Sequence, residues 1–315
     1  MMEEFQAYAP EDIILDNLVE LWERNAQTQE QEQAHLRELA FQIANAISEG
    51  NTDVAALLAS LPEHKLPTAN RTTVGDTARR ARLAVELSRL ISQSKETLID
   101  TVFPIAPKRE SPAAERICYQ KNGYTDLAYQ YFSSLLSEPR ASYAHGFASV
   151  CEEVYNELSE YCILPIENSA EGRLNSFERL ISEYDLKMTA TCEIQTGEDR
   201  STRFALLRRS AVRLETAVKY PLFFECACEL SQDSPSPTDV LVAAQECALT
   251  VQRAEITLSN KEVGNRHLRL CLAANTDKLS AFLIYLAMEV PMANLIGLYP
   301  HLTDSQKNKR TALCR

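Results

Sequence analysis

The chain has 315 residues, of which 45% are hydrophobic, and a formal net charge of −12. This predicts two or three domains with packed cores, and it argues against nucleic-acid binding through a general basic field. No apolar run is long enough to predict a membrane span, and the acidic start MMEEFQAYAPEDII lacks the basic and apolar regions of a secretory signal, so a cytoplasmic protein is expected.

Residues 1–110 read as helical throughout. Ile14, Leu15, Leu18, Val19 and Trp22 recur at helical spacing, as do Leu36, Leu39, Ile43 and Ile47, and then Leu83, Val85, Leu87, Leu90, Ile91 and Leu98. Pro62 and Pro67 break the middle. Ala78-Arg79-Arg80-Ala81-Arg82 is a short basic patch, read as a solvated face paired with acidic surroundings or, alternatively, as an anion or partner site. No spacing in this region demands a chemistry.

The segment PIAPKRESPAAE, Pro104 to Glu115, marks a linker, after which the period changes. Arg116–Tyr119 reads as a strand, with Gly123 at its exit and a helix opened by Tyr124 and Thr125. A helix over Val150–Leu158, a strand over Cys162–Ile166, a helix over Ser176–Tyr184 and strands over Lys187–Ile194 and Phe204–Leu207 follow. This alternation predicts a parallel α/β layer.

From about Tyr220 the pattern changes again. Strand Leu222–Leu230, helix Thr238–Ala248, strands Thr250–Leu258 and His267–Ala274 around Gly264-Asn265, helix Asp277–Glu289 and strand Ala293–Leu298 give the order βαββαβ of the ferredoxin-like split unit. Nine cysteines are scattered through the chain, most of them inside apolar runs. They read as buried small hydrophobes in a reducing compartment. Cys226-Ala227-Cys228 would place both sulfurs on one strand face, but it lacks the second ligand pair that a metal needs. The histidines show no ligand spacing either, so no metal and no cofactor is expected.

Three polar clusters mark strand ends in the middle region: Gly123-Tyr124-Thr125, Glu167-Asn168-Ser169 with Gly172, and Ser201-Thr202-Arg203. Ligands of open α/β sheets bind where strands end and helix N-termini begin. Each cluster alone has a simpler reading, since Thr125 and Ser169 could both be helix caps. Taken in order, NGYTD (Asn122 to Asp126), LPIENSAEG (Leu164 to Gly172) and STRFALLRR (Ser201 to Arg209) resemble the motifs of the prephenate dehydratase family. In that family a regulatory ACT domain follows and closes with Gly-x-Tyr-Pro; here Gly297-Leu298-Tyr299-Pro300 stands in that place. The resemblance covers about residues 115–302.

The resemblance implies conversion of prephenate to phenylpyruvate with loss of carbon dioxide and water, in phenylalanine biosynthesis. Thr202 would be the hydrogen-bond donor at the leaving hydroxyl, acting by position because a threonine hydroxyl is a weak acid. Asn168, Ser169 and Thr125 would orient the substrate. Arg203 carries the charge for a carboxylate, or is structural. The implied partners are a small-molecule carboxylate and a second copy docked through the ACT domains, with no nucleic acid and no membrane. The expected fold is a helical region (1–110), a single-lobe α/β domain of periplasmic-binding-like type (115–212), a βαββαβ ferredoxin-like ACT domain (218–302) and a tail (303–315).

The pattern departs from the family in two places. The family inserts a second catalytic lobe between the IENS and TRF segments, but here Ser169 and Thr202 stand only 33 positions apart. A separate lobe needs at least ~50 residues. Half a cleft leaves substrate in water, where fixed dipoles lose force. Either the N-terminal helices, with Arg79, Arg80 or Arg82 over Thr202, or a second subunit would have to rebuild the missing wall. In the ACT region, the Gly-Ala-Leu and Glu-Ser-Arg-Pro segments of phenylalanine-binding members are replaced by Pro237-Thr238-Asp239-Val240 and Glu255-Ile256-Thr257-Leu258. This predicts dimerisation rather than feedback binding. The alternative to an enzyme is a catalytically degenerate ligand-binding, regulatory or scaffold protein of aromatic amino-acid metabolism.

Overall fold

A computed structural model describes residues 74–92, 115–211, 214, 220–231, 234–258, 266–274, 276–290 and 293–302, together with parts of a helix between 27 and 44. The readings on Trp22, the linker 104–114, the Gly264 turn and the tail lie outside these residues. No described helix is long and apolar enough to cross a membrane.

Helix α1 spans Val74–Ser92. Strand β1 (Arg116–Tyr119), helix α2 (Gly123–Ser133), strand β2 (Arg140–Tyr143), helix α3 (Phe147–Tyr155) and strand β3 (Tyr161–Asn168) follow. Next come β4 (Gly172–Arg173), α4 (Asn175–Glu183), β5 (Lys187–Gln195) and β6 (Ser201–Arg208). The last third is β7 (Leu222–Leu230), α5 (Pro237–Glu246), β8 (Thr250–Leu258), β9 (Arg266–Ala274), α6 (Thr276–Glu289) and β10 (Asn294–Leu302). Strand β2 has no counterpart in the sequence reading. Its four residues, RASY, are mostly exposed and give no alternating signal.

All the strands form one sheet in the order β2-β1-β3-β6-β5-β10-β7-β9-β8, with β4 paired to β3. The parallel layer expected from alternating strands and helices holds for β2, β1 and β3. It fails at β6, which runs antiparallel to both β3 and β5. The reason is local: Thr196 and Gly197 donate their backbone N–H groups to the Arg200 carbonyl, closing β5 and β6 into a hairpin. Residues 170–200 are accounted for by β4, β5 and this turn in the sheet and by α4 packed on its face, so no second lobe stands between Ser169 and Thr202.

Strand β3 has a sheet neighbour on each side, and its first five residues are buried, as an apolar run predicts. Pro165 can donate no ladder hydrogen bond. The register of β3 on β6 shifts between Pro165 and Glu167, and this bulge admits proline to an interior strand. Two cores flank this part of the sheet. Tyr161, Ile163, Ile194, Phe204 and Leu206 pack under α2 with Phe132. On the other face Cys162, Leu164, Ala205 and Leu207 pack with Val150, Cys151, Val154 and Ile181 of α3 and α4.

The β10-β7-β9-β8 part is fully antiparallel and carries α5 and α6 on one face. Strands β10 and β5 pair in parallel, so the two parts share one sheet. Gly297 sits at this seam: a Cβ there would lie 2.6 Å from the Met188 carbonyl oxygen. Helix α6 is apolar almost all round, and Leu279, Phe282, Leu283, Ile284, Tyr285 and Leu286 are all buried. A helix of that kind needs cover on both sides. Helix α1 supplies the second side with Leu83, Ala84 and Leu87, joined by Leu36, Ala40 and Ile43 from the helix between 27 and 44.

Candidate functional site

The polar clusters at the strand ends are built largely from turn and cap chemistry. Thr125 is 1% exposed. Its hydroxyl donates to the Gln120 carbonyl at 2.7 Å and accepts from the Asn122 N–H at 3.0 Å. Asn122 in turn accepts from the N–H groups of Tyr124 and Thr125, so the pair forms a capping box that starts α2. Asn168 accepts from the N–H groups of Ala170 and Glu171 at 2.7 and 3.0 Å. That Asx turn, closed by Gly172 at φ +75, folds β4 back on β3. Ser169 donates its N–H to the Ser201 carbonyl and accepts the Ser201 N–H on Oγ, pinning the start of β6.

Thr202 is half-buried, and its Oγ1 lies 3.4 Å from Thr196 Oγ1. Tyr124 donates its hydroxyl to the Thr196 carbonyl at 3.1 Å, which brings the first and third motifs together. On this face Tyr124, Thr196 and Thr202 form a shallow constellation of neutral hydroxyls. It can donate hydrogen bonds, and among the described residues no carboxylate or imidazole is hydrogen-bonded to Thr202.

Arg203 is on the other face. Strand β6 is regular, so Thr202, Phe204 and Leu206 share one face while Arg203, Ala205 and Leu207 share the opposite one. Arg203 Nη1 donates to Glu167 at 2.8 Å, and Arg253 of β8 donates to both oxygens of the same carboxylate at 2.8 and 3.0 Å. The sheet therefore separates Thr202 from the cation that follows it in sequence. Two arginines of the basic patch on α1 do not replace that cation. Arg80 pairs with Glu289 at 2.6 Å and Arg82 with Glu246 at 3.1 Å, so both are committed to α6 and α5.

The Glu167 pair is one end of an ion network between the two parts of the sheet. Arg173 donates to Glu255 at 2.8 Å, Glu178 at 2.9 Å and Glu225 at 2.8 Å. Arg269 donates to Glu225 at 2.6 Å and to Glu178 at 2.5 Å. Tyr299 donates its hydroxyl to the second oxygen of Glu225 at 2.6 Å. Apart from Glu167 and Arg203, the sequence reading took none of these as a site. A signal was available, because Glu225, Arg253, Glu255 and Arg269 interrupt apolar strands with charges, on the faces turned away from α5 and α6.

Burial alone would raise the pKa of Glu225, but the guanidiniums of Arg269 and Arg173 and the Tyr299 hydroxyl outweigh it, so its carboxyl titrates below the usual range. A carboxylate depressed in the folded state contributes stability that is present above its unfolded value of about 4.3 and lost as pH falls through the folded value. The urea midpoint should therefore drop between pH 6 and pH 3, and the drop should be smaller in Glu225→Gln. Among the described residues no cluster of histidine, cysteine, aspartate or glutamate could hold a metal ion.

No protein-family profile matches the chain, and no curated protein matches it. Solved structures do. Prephenate dehydratase from Streptococcus mutans matches at 16% identity over 60% of this chain and 100% of that one, with a TM-score of 0.49. GqqA, described as a novel type of quorum quenching acylase, matches at 16% over 61% and 98%, with a TM-score of 0.46. Prephenate dehydratase from Arthrobacter aurescens, in complex with L-Phe, matches at 11% over 63% and 98%, with a TM-score of 0.41. These likenesses are distant, and none assigns a role to a residue of this chain.

Proposed function

We propose that this chain is a catalytically silent relative of the prephenate dehydratases that has become a ligand-binding or regulatory module of aromatic amino-acid metabolism. The lineage rests on NGYTD, LPIENSAEG and STRFALLRR standing in order at strand ends, followed by an ACT-like βαββαβ half that closes with Gly297-Leu298-Tyr299-Pro300. The silence rests on one observation: the motif side chains are engaged with the protein itself, on two faces of the sheet. Thr125 caps a helix, Asn168 closes a turn, Ser169 pins β6, and Arg203 is bound to Glu167 behind the sheet from Thr202.

Prephenate dehydration needs two carboxylates held while hydroxide leaves. With Thr202 on one face and Arg203 on the other, no single substrate pose can use both. Misplacement of reacting groups by about an ångström already costs on the order of 10²-fold in rate. Association of two copies through the ACT-like half fits the same reading. Strand β8 ends the sheet among the described residues, and Ile256 on it is 53% exposed.

The test is turnover of prephenate by the purified protein, followed as phenylpyruvate absorbance, beside Thr202→Ala. Both proteins should leave the uncatalysed rate unchanged. Turnover by the unmodified protein that Thr202→Ala abolishes would overturn the proposal and mean that the helical region or a second subunit rebuilds the cleft.

A further inference from the structure

In sheet order, six strand spacings separate β3 from β8. At ~4.8 Å each they would set the two strands about 29 Å apart in a flat sheet, beyond the joint reach of an arginine and a glutamate. Yet Arg253 of β8 donates to Glu167 of β3 at 2.8 and 3.0 Å. The sheet therefore curls, and β8 comes round to face β3 and β4 across a cavity of about 210 Å³. Among the described residues no strand pairing joins β8 to β3 or β4. Four side-chain pairs close the curl instead: Glu167–Arg253, Arg173–Glu225, Arg173–Glu255 and Glu178–Arg269.

The same eight charges are also paired within their own part of the sheet. In the part from β2 to β5, Arg203 holds Glu167 at 2.8 Å and Arg173 holds Glu178 at 2.9 Å. In the part from β10 to β8, Arg269 holds Glu225 at 2.6 Å and Arg253 lies 3.8 Å from Glu255. Each part thus brings two arginines and two glutamates, and neither brings a surplus. Parting the two sides would break the four crossing pairs, strand no charge and leave both sides balanced. Breaking a buried ion pair is expensive mainly when one charge is left alone.

The opposite margin of the curl is built to bend. Strand β10 meets β5 at Gly297–Met188 and again at His301–Thr191 and Leu302–Cys192, with a register shift between. Phe223 and Tyr299, which carry apolar contact to the α3 and α4 side, sit opposite each other on β7 and β10 at this seam. We propose that the curled sheet is a hinged clamp, in which the β5–β10 seam bends and the four crossing ion pairs latch β8 to β3, β4 and α4 over the cavity. Both arrangements satisfy every charge, as a two-state element requires. Three of the latch pairs are partly exposed, so salt screens them, whereas backbone hydrogen bonds and apolar packing hold the seam. The clamp uses neither Thr202 nor catalysis, so it stands or falls independently of the silent-relative reading.

Cys271 of β9 lines the cavity and is the one cysteine among the described residues that is not fully buried. Cys226, on the neighbouring strand β7, is buried in the core under α5 and α6. The experiment is alkylation of the full chain by iodoacetamide, a neutral reagent, followed at each cysteine by mass spectrometry. Raising sodium chloride from about 0.1 M to about 1 M, which shortens the Debye length from ~10 to ~3 Å, should speed alkylation of Cys271 roughly five-fold and leave Cys226 unreacted. At low salt Arg253→Met, which removes a crossing pair but keeps most of the side chain's bulk over Cys271, should speed it by a similar factor. Loss of the Arg253 charge alone would disfavour the Cys271 thiolate and slow the reaction, so a faster rate reports access. Arg203→Met should act in the opposite direction and slow alkylation, because Glu167 then has only its crossing partner. The salt comparison on the unmodified chain tests the clamp even if a variant fails to fold. A rate at Cys271 that does not rise with salt, a rise at Cys226 in step with it, or the same direction of change in both folded variants would overturn the proposal.

Discussion

Glu225→Ala should destabilise the protein by about 3–5 kcal/mol, the cost typical of removing one partner from a buried ion network. Glu225 is 2% exposed in the middle of β7. Its two oxygens take hydrogen bonds from Arg173, Arg269 and Tyr299. Alanine would leave the buried Tyr299 hydroxyl with only the Cys271 sulfur, 3.9 Å away, in place of a carboxylate. It would also leave two guanidiniums facing each other across the vacated site, with Glu178 as the carboxylate they still share. Arg173 comes from β4, Arg269 from β9 and Tyr299 from β10, so the loss would be felt on both sides of the seam. Glu225→Gln keeps an acceptor for one of the three donors and should cost about half as much. Urea unfolding followed by far-UV circular dichroism measures both. A change in midpoint of less than ~1 kcal/mol equivalent for the alanine variant would show that the network is not holding the two parts together.

Gly297→Ala should cost about 2–3 kcal/mol, within the range for overpacking a well-packed site, although it adds one methyl group to a position with ordinary strand geometry. The added Cβ would lie 2.6 Å from the Met188 carbonyl oxygen, 2.8 Å from Met188 Cβ and 3.0 Å from the Tyr299 ring. The first of these is backbone and cannot rotate away, so β5 and β10 would have to separate. That ladder is the one strand pairing between the β2-to-β5 part of the sheet and the β10-to-β8 part among the described residues. Unfolding of the variant should lose cooperativity as well as midpoint, with the two parts melting apart; hydrogen exchange of the β5 and β10 amides would locate the opening. An unchanged midpoint with unchanged protection at Met188 and Gly297 would show that the seam can widen freely.

Much of the architecture was legible because it depends on local pattern. The capping box of Asn122 and Thr125, the apolar run of β3 and the βαββαβ order in the last third all follow from neighbouring residues. The reading of Thr125 and Ser169 as structural polar groups was also available from the sequence. It describes Thr125, which caps α2, but Ser169 pins a strand and caps no helix. Short and exposed β2 gave no signal, and the antiparallel course of β6 could not be read from alternation, because strand direction depends on what closes the turn at residues 196–200.

The sequence alone determined the element types, the absence of room for a folded unit between Ser169 and Thr202, and the candidate motif residues, because period, caps and chain length act over a few residues. Tertiary structure decided everything that depends on which strand lies beside which. It put Thr202 and Arg203 on opposite faces, since adjacent residues of a regular strand must diverge. It drew Arg203 into partnership with Glu167 and with Arg253, fifty positions further along the chain. It fused the two parts into one sheet through a pairing that only a glycine permits at that point. It also placed α1 over α5 and α6, because an all-round apolar α6 had to be covered on both sides, and not over Thr202. Charge pairs and cavities between distant segments arise from these neighbour relations, which the linear order of residues does not contain.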